Sequence, residues 1–416
     1  MKRISGLYEQ IIALDNLRLA DENARKGKLK SFAVKKHDKN CDENIFLLHK
    51  NLREKKFKTS AYHKFYIHEP KKREIYRLPY YPDRIVHHAI LNVLEPIWMK
   101  VFTKDTYSCI KERGIHGAAN QLKQALKDTE NTQYCLKTDI KKFYPSINHE
   151  ILKQIIRRKI KDTDLLYLLD EIVDSAKGVP IGNYTSQYFA NLYLAYFDHW
   201  IKEELKVKYY FRYADDMIFL GADKQYLHSI LQQIKEYLDT ELKLELKGNY
   251  QVFPVHVRGI DFVGYRFYHT HVLLRKSIKK RFARAVAKKG TSVQTHAAYW
   301  GWTKHCNSKN LLKKLNMKKF SDLNVPPPEG SFSGEKIKID KVLNRPVIIL
   351  ASRIAESKYK KNKSGKVLML QLEINDEKRV LFTGSDVLIS QIEHVKEKDY
   401  PFETTIVKEN EHFQFT

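Results

Sequence analysis

Three aspartates stand at the ends of segments that otherwise read as buried strands. Asp139 closes the run Cys135-Leu136-Lys137-Thr138-Asp139-Ile140, and Asp215 and Asp216 interrupt the β-rich stretch Tyr213-Ala214-Asp215-Asp216-Met217-Ile218-Phe219-Leu220. Carboxylates among apolar strand residues are costly unless a countercharge meets them. A divalent cation does so well, because Mg²⁺ prefers carboxylate oxygens and keeps waters and substrate phosphates as its other ligands. Two such ions about 3.5–4 Å apart clamp the attacking and leaving oxygens of an in-line phosphoryl transfer. A strand, acid pair, strand order places Asp215 and Asp216 at the tip of a tight hairpin. Taken alone, an Asp pair reads equally well as a solvated turn.

The elements that must position these acids follow from periodicity. Residues 1 to about 60 read as basic helices, and Phe65-Tyr66-Ile67-His68 and the stretch around Arg73-Glu74-Ile75-Tyr76-Arg77 read as a hairpin with cations near its tip. Asp83 to Phe102 has helical apolar spacing. Gly178 to Gly182 is a turn, and Phe189, Leu192, Tyr193, Tyr196, Phe197, Trp200 and Ile201 mark an amphipathic helix. Residues 225–243 are helical, Ile260 to Leu274 reads as strands, and 276–316 is helical and strongly basic.

The 416 residues carry 75 Lys+Arg against 49 Asp+Glu, a formal charge of +26, which points to a polyanionic partner. A hydrophobic content of 43% excludes a disordered chain. Four scattered cysteines without a Cys-x-x-Cys argue against a zinc ribbon or a disulfide scaffold, and His87, His88, His116, His256, His269 and His271 show no ligand spacing with them. No apolar run is long enough for a membrane span and the N-terminus has no apolar signal core, so the expected location is cytoplasmic. Residues 335–416 hold 15 basic and 13 acidic residues, so nearly all the excess charge precedes them. The break coincides with Asn324-Val325-Pro326-Pro327-Pro328-Glu329-Gly330-Ser331-Phe332-Ser333-Gly334, which reads as a stiff linker.

Taken together, the motifs resemble those of reverse transcriptases. Asp139-Ile140-Lys141-Lys142-Phe143-Tyr144 is similar to their motif A, Gly178-Val179-Pro180-Ile181-Gly182-Asn183-Tyr184-Thr185-Ser186-Gln187 to motif B, and Tyr213-Ala214-Asp215-Asp216 to motif C, in that order, over about Phe65 to Leu315. Motif B departs from the Gln-Gly-x-x-x-Ser-Pro of most intron and retrotransposon enzymes. With Ile181-Gly182-x-x-x-Ser186-Gln187 it resembles the diversity-generating retroelement group, as does Tyr299-Trp300-Gly301-Trp302-Thr303-Lys304-His305. The resemblance implies an α+β, right-hand polymerase fold: N-terminal helices and fingers over 1–125, a palm with an antiparallel sheet over 126–272, a helical thumb over 273–323, a linker over 324–334 and a small module over 335–416. It also implies copying of a template-repeat RNA into cDNA mutagenised at adenines, from dNTPs, with two Mg²⁺ (Mn²⁺ being the alternative) and a small basic helical accessory protein. A retron or phage-defence reverse transcriptase is the nearer rival reading, and a non-catalytic RNA-binding scaffold the more distant one.

Residue by residue, the resemblance implies that Asp139 and Asp215 bind the metals, Asp216 supports the second, and the Ile140 carbonyl completes one coordination sphere. Tyr144 would lie under the incoming sugar and exclude a 2′-OH, an ordinary core tyrosine being the alternative. Arg73, with Lys71, Lys72 and Arg84 as further candidates, would grip the triphosphate. Gly182 would let backbone approach the nascent base pair, Gln187 would project toward it, and Ile181 would line it with an apolar wall of low discrimination. Lys247 occupies the place of a motif D lysine, although Lys243 and Lys247 also suit a solvated face. Gly259-Ile260-Asp261-Phe262-Val263-Gly264-Tyr265 resembles the motif E turn. Arg275, Lys276, Lys280, Arg281 and Arg284, with Lys279 and Lys288, would hold the template–primer duplex by its phosphates.

The final 71 residues read as three strands, a helix and two strands. That is the order of an OB-like β-barrel, a common single-strand binder. Tyr359, Lys360, Lys361 and Lys363 would form a basic loop, and a protein-docking role is the equal alternative.

Overall fold

The computed structural model describes residues 3–68, 72–289, 293–315, 332–357, 364–374 and 377–416. Lys71, the 324–331 part of the linker, Tyr359, Lys360, Lys361 and Lys363 lie outside them. The chain divides into two compact units, residues 1–317 and 318–416.

In the first unit, the helices Tyr8–Ile12, Leu14–Arg25, Phe32–Asp38 and Cys41–Arg53 bury Ile11, Leu17, Val34, Ile45 and Leu52 in a core shared with the helix Ile85–Met99. Strands β1 (His63–Ile67) and β2 (Arg73–Arg77) form an antiparallel hairpin in which Ile67 faces Arg73. The hairpin rests on the segment before the helix Tyr184–Tyr193, where the Tyr76 amide donates to the Ile181 carbonyl at 2.8 Å.

The central sheet comprises β3 (Tyr134–Asp139), β4 (Tyr209–Tyr213), β5 (Asp216–Gly221) and β6 (Gln251–Pro254), in the order β4-β5-β3-β6 and antiparallel throughout. Residues 217–221 of β5 are all buried, because both faces are covered, and the strand accordingly reads as a continuous apolar run. The helix Lys224–Thr240, capped by Asp223 on the Tyr226 amide at 2.8 Å, packs on β3, β5 and β6. A three-stranded antiparallel sheet, β7 (Ile260–Phe262), β8 (Tyr265–Phe267) and β9 (Val272–Leu274), follows. The helix Lys276–Lys289 then buries Phe282 against Tyr299 (ring centroids 4.3 Å apart) and exposes Lys276, Lys279, Lys280, Arg281, Arg284 and Lys288.

The second unit corrects the barrel expected from sequence. Strands β10 (Glu335–Ile337), β11 (Pro346–Glu356), β12 (Lys366–Ile374), β13 (Glu377–Thr383), β14 (Phe402–Glu409) and β15 (His412–Phe415) form one open sheet in the order β10-β13-β12-β11-β14-β15. Closure would need β15 on the free edge of β13. That edge is taken by β10, which pairs in parallel with β13. Leu368, Leu370 and Leu372 line one face as their alternation predicts, under the helix Asp386–Glu393, and Ser385 caps that helix on the Leu388 amide.

Candidate active site

The hydrogen-bond register brings the three acids together. Asp139 lies directly opposite Asp216 across β3 and β5, and the Ile140 amide reaches the Asp215 carbonyl at 3.4 Å. The turn between β4 and β5 has two residues, Ala214 and Asp215, and Ala214 takes φ +56°, a left-handed conformation that strains an L residue. Burial, with the Asp139 carboxylate alongside and hydrogen-bonded, pushes the Asp215 carboxyl up to about 6. Burial pushes Asp216 up to about 6 as well, against the opposing pull of Lys137.

Two lysines answer the acids. Lys247 binds Asp139 twice, its amide on the Asp139 carbonyl at 2.8 Å and its ammonium on Oδ2 at 2.6 Å. It is therefore not a solvated surface charge. Lys137 lies 3.2 Å from the Asp216 carboxylate and also donates to the Asp261 carbonyl, while Arg275 pairs with the Asp261 carboxylate. Lys137, Asp139, Asp216, Asp261, Arg266 and Arg275 line one side of an open pocket of about 420 Å³.

Asp139 Oδ1 is buried and accepts no hydrogen bond, while buried Asp216 Oδ1 meets the Lys137 ammonium at 3.2 Å without a well-directed hydrogen bond. An orphaned acceptor such as Asp139 Oδ1 is costly unless a ligand meets it, and paired carboxylates are the donors a hard divalent cation takes. The site therefore fits such an ion, which would supply positive charge to a phosphoryl group in transfer. Outside the palm, Asp21, His37 and Cys41 also bring potential ligand atoms within 4.8 Å of one another. There Arg25 pairs with the Asp21 carboxylate and Tyr80 donates to it, so the carboxylate already has its countercharge.

Tyr144 is partly buried, with Asp215 and Arg73 among the charges acting on its hydroxyl, and burial raises its pKa well above the ordinary range. Tyr144 thus lies within electrostatic reach of both Asp215 and Arg73. Lys72 lies instead with its ammonium 4.6 Å from the Tyr66 ring centroid. Arg84 is half-buried with an unpartnered Nε, beside Lys28 and Arg77. The close approach that Gly182 permits is to the fingers: a Cβ there would stand 2.0 Å from the Tyr76 carbonyl oxygen. Ile181 is partly buried, and Gln187 is exposed on its helix.

Sequence reasoning passed over Lys137 and the role of Asp261. The signal for Lys137 was present, since residues two apart on a strand share a face and Lys137 stands two before Asp139. The buried cluster around Arg212 was also missed.

Residues 69–267 match the family model described as reverse transcriptase (RNA-dependent DNA polymerase). Over that span the sequence is similar to reverse transcriptases. Residues 333–416 match a second model, described as a domain of unknown function. Protein YkfC of Escherichia coli is 25% identical over 234 residues, covering 45% of this chain and 61% of that protein. The group II intron-encoded protein LtrA of Lactococcus lactis is 25% identical over 143 residues, covering 32% of this chain and 23% of that protein. Among solved structures, apo telomerase from Candida tropicalis aligns with a TM-score of 0.41 at 13% identity, over 54% of this chain and 50% of that one. The chain spans less than two thirds of the length of the curated relatives it matches here. Among the described residues no helix is long and apolar enough to cross a membrane.

On the reading that Tyr144 lies under the incoming sugar, Tyr144→Ala is expected to raise NTP incorporation relative to dNTP by about 10²-fold, by opening space for a 2′-OH. Single-nucleotide extension with matched dNTP and NTP measures it, and an unchanged ratio would return Tyr144 to a packing role.

Proposed function

We propose that this protein is the polymerase of a diversity-generating retroelement, copying a template-repeat RNA into adenine-mutagenised cDNA from dNTPs in the cytoplasm, with Mg²⁺ or Mn²⁺ and a small basic accessory protein. The observation that carries the polymerase part is the meeting of Asp139, Asp215 and Asp216, with Asp139 Oδ1 buried and without a hydrogen bond. In the roles proposed here, Asp139, Asp215 and Asp216 hold the cations, and Arg73 and Tyr144 face the nucleotide. Arg275 and the exposed cations of the helix Lys276–Lys289 hold the template–primer. The retroelement part rests on motif B, where Ile181 stands in the place of an amide.

An apolar wall discriminates less between bases than one whose polar groups must be satisfied. Ile181→Gln is therefore expected to cut errors opposite template adenine by about tenfold, with other errors little changed. Sequencing of cDNA made by both proteins on one template measures this. Equal adenine error would detach Ile181 from fidelity. Absence of a near-duplicate segment differing only at adenines in the flanking DNA would favour the retron or phage-defence reading.

A further inference from the structure

Beneath the acid-bearing hairpin lies a fully buried ion pair that the proposed chemistry does not use. Arg212, on β4, and Asp198, on the helix Ala195–Glu203, are both 0% exposed. Asp198 Oδ1 accepts from Arg212 Nε and from the Tyr210 hydroxyl, each at 2.7 Å, and Oδ2 accepts from Arg212 Nη2 at 2.5 Å and from the Thr106 hydroxyl at 2.8 Å. The remaining arm of the guanidinium, Nη1, donates to Asn191 Oδ1 at 3.3 Å and to the Ala214 carbonyl at 3.2 Å. Asn191 is itself tied to the Ser108 carbonyl at 2.8 Å.

A buried pair of this kind is weak evidence for stability, because packed apolar side chains of similar volume often serve as well. Its geometry is more informative. Three arms of one planar fork are spent, two on Asp198 and the third on the carbonyl of the strained residue that precedes Asp215. That residue holds a left-handed conformation that is strained for an L residue, so the turn persists only where its surroundings over-determine it.

We propose that Arg212 is a positioning residue: by holding the Ala214 carbonyl from the core, its guanidinium sets the Asp215 and Asp216 carboxylates at the spacing that a divalent cation requires. This rests on the polymerase reading for its purpose, but its geometry concerns cation binding alone. Lysine keeps the buried charge, yet a single ammonium cannot engage both Asp198 oxygens and reach the Ala214 carbonyl.

The test compares Arg212→Lys with Tyr210→Phe, which loses one hydrogen bond to Asp198 on the side of the network away from the turn. Thermal unfolding of the nucleic-acid-free protein is followed against Mn²⁺ concentration, and primer extension against Mg²⁺. For Arg212→Lys the cation concentration giving half of the stabilisation is expected to rise about tenfold, as when a group supporting metal ligands is lost. Maximal extension rate falls with it and the KM for primer–template stays unchanged. Tyr210→Phe lowers the melting temperature and leaves the cation midpoint in place. A midpoint unmoved in Arg212→Lys, or moved equally in both variants, overturns the proposal. Should Arg212→Lys fail to fold, the double variant Arg212→Met with Asp198→Leu, which replaces the buried pair by apolar side chains and removes the donor to the Ala214 carbonyl, must shift the midpoint, and no shift overturns the proposal equally. A wild type that binds Mn²⁺ without extending primers removes the polymerase reading and leaves this inference standing. Extension by wild type together with an unmoved midpoint in the variant does the reverse.

Discussion

Asp215→Asn removes templated DNA synthesis while leaving the cation-free protein more stable than wild type at neutral pH. Activity is expected to fall by about 10³-fold or more, since the residue belongs to a set that acts as a unit. The stability gain has a separate cause. The folded Asp215 and Asp216 carboxyls titrate near 6, against an ordinary value of 3.8. Between those values the folded state binds more protons than the unfolded one, so these groups make stability fall as pH rises from about 4 through 6, with the full loss present above it. An amide at position 215 carries no charge to bury beside Asp139. It should raise Tm by about 2–4 °C at neutral pH per kcal/mol recovered, and the difference from wild type should vanish as pH drops below 4. Paired melting curves across that range, with and without Mg²⁺, make the check. A variant less stable than wild type at every pH would mean that the carboxylate is satisfied without a cation.

Gly182→Ala is the second large effect expected. The added Cβ would meet the Tyr76 carbonyl oxygen at 2.0 Å and its carbon at 3.1 Å, with φ at +136° besides. Backbone cannot yield as a flexible side chain does, so the contact between Tyr76 and Ile181 must open. The fingers hairpin would then shift, and displacement of a positioning element by about 1 Å can cost about 10² in rate. The loss should appear chiefly as a raised KM for dNTP, because Arg73 rides on β2, with only a modest fall in Tm. Steady-state extension at varied dNTP separates these terms. A loss confined to Tm with unchanged kcat/KM would show that the glycine serves folding only.

The chain's local patterns carried its acids and most of its elements. Apolar runs gave β3 and β5, the acid pair announced a tight turn, which the strand register sets one residue earlier, at Ala214 and Asp215, with Asp216 in β5, and Ser385 announced its helix. These features are written within a few neighbouring residues, where periodicity and turn chemistry act. The motifs likewise named Asp139, Asp215 and Asp216 as partners, although 76 residues separate the first two.

What the folded arrangement alone decided concerns edges and long-range partners. The barrel expected of residues 346–416 stays open because three residues just after the linker, Glu335–Ile337, occupy the edge of β13. No local pattern assigns a strand to one edge rather than another. Lys247 answers Asp139, Lys137 answers Asp216, Gly182 makes room for the Tyr76 carbonyl, and Arg212 reaches from a buried pair to the acid-bearing turn. A lysine's pattern in sequence is the same whether it faces water or a carboxylate. Its role is fixed by which segment packs opposite, and that choice is made by burial and hydrogen-bond satisfaction summed over the whole core.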